Sequence, residues 1–172
     1  PVIGVIGGTK SAGIDKFIAG YIQGAHDANP NVQVKVAYSN NFGDPAVGLQ
    51  MANAMFEQGA DIVYQVAGGT GIGVIQAAKK SGHFAIGVDT DQDGLAPGHV
   101  LTSMVKRTDV AVENVVKDYA DGSLKGGTTL TFGLKDNGVG LSDMKHTKKL
   151  IPASILKKVE AAKEGILSGK IK

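Results

Sequence analysis

Three short stretches carry the residue types that could do chemistry. From Gln65 to Gly82 the chain reads QVAGGTGIGVIQAAKKSG, with glycines at 68, 69, 71 and 73 running straight into a helix-like pattern. Glycines placed before a helix let backbone N–H groups approach a ligand at the helix N-terminus. Asp89 to Gly94 reads DTDQDG, three carboxylates at alternate positions, and Gly4 to Ser11 reads GVIGGTKS, close to a phosphate loop.

Spacing decides among these. A dinucleotide fingerprint GxGxxG begun at Gly69 needs glycine at position 74, where Val74 stands. The phosphate loop GxxxxGK[ST] begun at Gly4 meets Thr9 at its second glycine. The calcium loop matched by DTDQDG needs a bidentate glutamate at its twelfth position, where the chain has Val100, and a strand rather than a helix precedes it. Asp89 is therefore read by itself, as a strand-end carboxylate that can accept from two hydroxyls, while Asp91 and Asp93 read as turn or capping aspartates. A carboxylate beside the glycines would also repel a phosphate.

Catalytic constellations are thin. His26, His83, His99 and His146 form no i,i+4 pair and no ligand spacing, and no serine stands in GxSxG. The chain has no cysteine, which excludes thiol chemistry, disulfides and Cys-based metal sites. A neutral glycine cradle next to a hydroxyl-binding carboxylate, with no acid–base pair against a nucleophile, points to binding without catalysis, metal or cofactor.

The elements that must position these residues alternate. Val2–Ile6 is a β-branched strand, followed by a helix carrying Ile14, Phe17, Ile18, Tyr21 and Ile22 and ending at Asn29-Pro30. Val32–Tyr38 is a strand, Asp44-Pro45 opens a helix over Ala46–Gln58, and Asp61–Val66 feeds the glycines and a helix to Ser81. Phe84–Val88 and Val100–Val105 are further strands, and Asp109–Ala120 is a helix. Thr128–Phe132 is expected as a strand, Lys135–Asp143 as a loop, and Pro152 to Ser168 as an amphipathic helix. The β-α rhythm implies an α/β fold, a doubly wound parallel sheet with flavodoxin-like strand order 2-1-3-4. Its ligand crevice would lie beyond the strand ends, between the loops after the first and third strands.

At 172 residues, 42% apolar and 20% charged, the chain has the composition of a single globular unit. Its formal charge of +2 is spread along the chain apart from a lysine cluster near the end, so a nucleic-acid partner is not expected.

Several blocks resemble the basic membrane protein (BMP) family, substrate-binding lipoproteins that serve ABC importers as purine-nucleoside receptors. The matching stretches are VIGVIGG, FIAGYIQGA, NNFGDPAVG, GADIVYQVAGGTGIGV, AIGVDTDQ, LTSMVKR, GLKDNGVGLSD and IPASILKKVEAAKEGILSGKI, nearly the whole chain. Residues Val2 to Arg107 resemble the second lobe of that family's type I periplasmic-binding fold, in which nucleoside is captured between two lobes. By position, the resemblance implies ligand binding by Gly68, Gly69 and Thr70 in the cradle, Asp89 on ribose hydroxyls and Lys106 at a hinge crossing. A purine also needs an aromatic face, for which Tyr64, Phe42 and Phe17 are candidates.

The resemblance further implies a division into an α/β lobe over 1–105, a hinge-crossing segment and helix over 106–127, and a return strand, loop and helix over 128–172. It implies a first lobe or partner chain outside these residues, a membrane permease as partner, and an extracytoplasmic, lipid-anchored full-length protein. Without the first lobe, Val110, Val112, Val115, Val116 and Tyr119 are expected to be left partly uncovered. A ligand-sensing regulatory protein acting on gene expression is the alternative within the same resemblance.

Overall fold

The structure, a computed structural model, describes residues 1–171. Its centre is a six-stranded sheet of order β2-β1-β3-β4-β5-β6, formed by β1 (Val2–Gly7), β2 (Gln33–Tyr38), β3 (Ala60–Val66), β4 (Phe84–Asp89), β5 (Val100–Lys106) and β6 (Val139–Leu141). The first five strands pair in parallel, and β6 returns antiparallel to β5, with Met104 opposite Leu141 and Lys106 opposite Val139. The expected 2-1-3-4 order is therefore present, and the sheet reverses direction of growth at β1.

Five helices accompany the strands: α1 (Ala12–Ala28), α2 (Pro45–Glu57), α3 (Thr70–Ser81), α4 (Thr108–Ala120) and α5 (Ala153–Leu167). Sequence chemistry sets their ends. Ser11 caps α1 by accepting from the N–H of Ile14, Asp44 caps α2 by accepting from Ala46 and Val47, and Gly82 closes α3 in the left-handed conformation.

Because strand side chains alternate, adjacent residues of one strand serve opposite layers. Val5 and Tyr64 join Ile18 in a cluster under α1, whereas Ile6 and Val63 join Met55, Phe56, Val74 and Ile75 under α2 and α3. The α2–α3 pair packs backbone to backbone. A methyl on Gly73 would run into the carbonyl of Pro45, so only glycine permits this approach. That contact seats the N-terminus of α3 against the start of α2.

One expected element is absent and another stands in its place. Thr128–Phe132 is not a strand: it is irregular and largely exposed, and no neighbouring strand offers it hydrogen bonds. Its β-branched composition fits a pleated surface, but a strand also needs a partner edge. Val139–Leu141, expected inside a loop, becomes β6 because it runs alongside the open edge of β5.

Candidate functional site

The crevice is built at the carboxyl ends of β1, β3, β4 and β5. At the end of β3 the chain turns through Gly68, whose φ of +54° is one that side-chain-bearing residues rarely adopt. Gly68 and Gly69 are half-buried, and neither N–H has an acceptor among the described residues. The next donors are already used: Thr70 N–H donates to the Phe42 carbonyl, Gly71 to Gly68 and Ile72 to Gly69. Two backbone donors thus remain for a ligand, fewer than four glycines suggest.

The remaining glycines serve packing. Gly71 and Gly73 are buried, the first against the Gln65 side chain and the second against α2. Thr70 is wholly buried too. Its hydroxyl accepts from the Asp44 N–H at 2.9 Å and donates to the Asn41 carbonyl at 3.2 Å. Its side chain therefore braces the rim from behind, fixing the loop after β2 against the cradle.

That loop brings in the aromatic candidate. Phe42 is 45% exposed, and a methyl at Gly8 would strike its ring. Its carbonyl lies against Gly68 and Gly69, so Phe42 stands in the switch-point crevice between the loops after β1 and β3. The other two aromatic candidates belong to the core. Tyr64 is buried beside Tyr21, with ring centroids 5.1 Å apart, and burial pushes both phenols up in pKa. Phe17 packs on the same cluster.

Asp89 ends β4 with φ of +67°, and the N–H of Thr90 returns to the carbonyl of Val88 at 2.8 Å. This three-residue turn with a positive central φ is a strained form. It projects the carboxylate off the sheet end, where Oδ1 lies 2.8 Å from Lys106 Nζ. Both side chains remain about half exposed, at 44% and 52%. Ion pairs of that exposure contribute only about 0–1 kcal/mol to stability, so the pair can reorganise around a ligand at small cost. A carboxylate holding one ammonium keeps lone pairs for two hydroxyls.

The acidic loop departs from its reading at one residue. Asp91 does act as a turn aspartate, accepting from the N–H of Asp93 at 3.0 Å. Asp93 instead points inward, 2% exposed, accepting from Ser103 Oγ at 2.9 Å and from Ser142 Oγ at 3.0 Å. Burial raises its pKa above the ordinary carboxylate value, more strongly than the two serine hydrogen bonds lower it. No group of side chains that could hold a metal occurs among the described residues, the DTDQDG loop included. Gln92, also missed, accepts from Gln65 Nε2 at 2.6 Å and from the Val88 N–H at 2.9 Å. Its signal was Gln65, an amide at a position of the strand DIVYQV flanked by apolar residues, which demands a partner once buried.

Beyond the sheet, α4 buries no residue. Val112, Val116 and Tyr119 are 57%, 59% and 77% exposed, as expected for a face without cover. On α5 only Gly165 is buried, against Ile171 of the same chain end. No helix among the described residues is long and apolar enough to cross a membrane.

Comparison with known proteins agrees with this geometry. The family model described as "ABC transporter substrate-binding protein PnrA-like" matches residues 2–172. Basic membrane protein D of Borreliella burgdorferi is 44% identical over 142 residues, covering 81% of this chain and 42% of that protein. The ABC transporter nucleoside-binding protein BmpA of Lactococcus lactis is 36% identical over 186 residues, covering 98% and 52%. The chain thus spans about half the length of the curated relatives it matches. Among solved structures, an ABC transporter solute-binding protein of Aeropyrum pernix superposes with a TM-score of 0.86 at 30% identity, over 99% of this chain and 56% of that one. A transcriptional activator of the comK gene from Bacillus halodurans superposes at 0.85 with 25% identity, over 95% and 55%. An α/β sheet of periplasmic-binding type, matched by a family model over nearly its whole length, places the chain in the PnrA-like family of ABC transporter substrate-binding proteins.

Proposed function

We propose that this chain supplies one ligand-binding lobe of an ABC importer's receptor, and that the ligand is a nucleoside, preferably a purine nucleoside, bound without chemistry. The observation that carries the reading is the Asp89–Lys106 pair, half exposed at the mouth of the crevice and flanked by the free N–H groups of Gly68 and Gly69. A cis-diol can take both oxygens of Asp89 while Lys106 donates to a ribose oxygen. The exposed ring of Phe42 offers a face on which a base can stack. The name of the Lactococcus relative supports a nucleoside over another hydroxyl-rich solute.

In this reading residues 1–105 form the lobe and 106–127 cross a hinge, while 128–172 return to the lobe and end in a helix. The uncovered faces of α4 and of Thr128–Phe132 receive a second lobe, which completes the ligand's enclosure. A membrane permease then takes the solute from the extracytoplasmic side, with the full-length protein held there by a lipid anchor. The family description favours transport over gene regulation, although the Bacillus structure belongs to a protein named for the latter. A lipid-attachment cysteine encoded upstream would support the receptor, and a DNA-binding helix pair would overturn it.

Titration calorimetry of the native protein with inosine tests the site. Asp89→Asn should weaken binding by about 1.5–3 kcal/mol, the scale of hydrogen bonds to a charged group. Unchanged affinity would remove Asp89 from the site.

A further inference from the structure

The γ-type turn at Asp89 costs backbone strain, and such turns persist only where their surroundings over-determine them. What holds this one is a buried polar chain beneath it. Gln65, wholly buried, accepts from the N–H of Ala67 in the cradle loop at 3.1 Å and donates to Gln92 Oε1. Gln92 Oε1 also takes the N–H of Val88, the first residue of the turn, while the Gln92 backbone N–H donates to Ser103 Oγ at 3.0 Å. Ser103 Oγ donates to Asp93, and Asp93 also accepts from Ser142 Oγ of the segment just after β6. Ser142 Oγ in turn accepts from the Ser103 N–H at 2.9 Å.

We infer that Gln92 and Asp93 are positioning residues of the ligand site: they lock the Asp89 turn to the cradle through Gln65 and to the crossing strands β5 and β6 through Ser103 and Ser142. Neither touches the ligand. They act by fixing where the Asp89 carboxylate stands relative to Gly68, Gly69 and Lys106. Because every buried side-chain polar atom among the described residues has a partner, loss of one member leaves others unsatisfied, so the network responds as a unit. It also joins both halves of the site to the strand that re-enters the sheet after α4, so displacement of that strand would be felt at Asp89.

The inference rests on the ligand reading above for its affinity arm and is independent of it for the other. Ser142→Ala, a small change that spares the apolar core, should speed hydrogen exchange at the amides of Val88 and Gln92 about tenfold without ligand, the scale of one lost hydrogen bond. Asp93→Asn, which can still accept from Ser103 and can donate to Ser142, should leave exchange near the native rate, whereas Asp93→Ala should not. For inosine, Ser142→Ala should lower affinity about tenfold in the native protein and much less in an Asp89→Asn background, since a positioned group already disabled cannot be misplaced further. Unaltered exchange at those amides overturns the inference whatever ligand the protein takes. Equal affinity losses in both backgrounds overturn it as well, because they would mark a merely structural role. If native protein ignores inosine, the nucleoside reading fails and the exchange measurement alone decides this one.

Discussion

The three helices packed on the sheet and the two that follow it have the same kind of sequence and opposite fates. In α3, Val74, Ile75, Ala77 and Ala78 recur at helical spacing and are all buried, whereas in α4 the comparable row Val112, Val115, Val116 and Tyr119 buries nothing. An apolar stripe states that a face will be covered but not by what. Helices α1 to α3 cover their stripes against the sheet. The α4 stripe is left open, as is Thr128–Phe132, a segment with strand composition and no strand to join among the described residues.

The difference is large enough to break with single substitutions. Ile75→Ala should cost about 3 kcal/mol in urea unfolding, from lost burial and the cavity left behind. Val116→Ala, the same kind of truncation on α4, should stay within about 0.5 kcal/mol in this chain, since little apolar area leaves water. Equal costs would mean that α4 is covered within the chain itself. The Asp89 turn sharpens the contrast from the other side, because there packing sustains a conformation the residue disfavours. Asp89→Gly should raise stability by about 1 kcal/mol by releasing the positive-φ strain, while inosine binding is lost with the carboxylate. A lower melting temperature for that variant would show that the carboxylate stabilises the lobe as well as its ligand.

Much of this was legible because the packed region obeys local rules. Asp44 and Gly82 announce helix ends through hydrogen-bond and backbone preferences that need no tertiary context, and the β-α alternation then restricts the strand order. Legibility fails where pairing is non-local. Nothing in TTLTF reveals whether an edge will be available to it, and nothing in NGVGL reveals that β5 will be. In the site, Asp89 was readable from a strand end and from the resemblance and Lys106 from the resemblance alone, and the structure places the two 2.8 Å apart. The division of labour among the glycines was not, since Gly68 and Gly71 look alike until one is found at the crevice and the other against Gln65. Asp93 was misread as a turn residue because its partners, Ser103 and Ser142, lie 10 and 49 positions away.

Asp93 also marks the seam between the two regions, since Ser142 belongs to the segment that re-enters after α4. Its titration therefore tests how firmly that seam is closed. Burial raises the folded-state pKa above the ordinary 3.8, so between the two values the folded chain binds more protons than the unfolded one. The stabilising contribution is complete below the unfolded value and is lost as pH rises through the folded value. Asp93→Asn stays uncharged throughout and forfeits nothing over that interval. Its stability relative to the native chain should therefore improve as pH climbs from acid to neutral, read from urea midpoints at successive pH values. A relative loss over the same range would mean that the serine hydroxyls outweigh desolvation and hold an ionised carboxylate. The seam would then be an anionic clamp, and its grip on the Asp89 turn would tighten rather than slacken with rising pH.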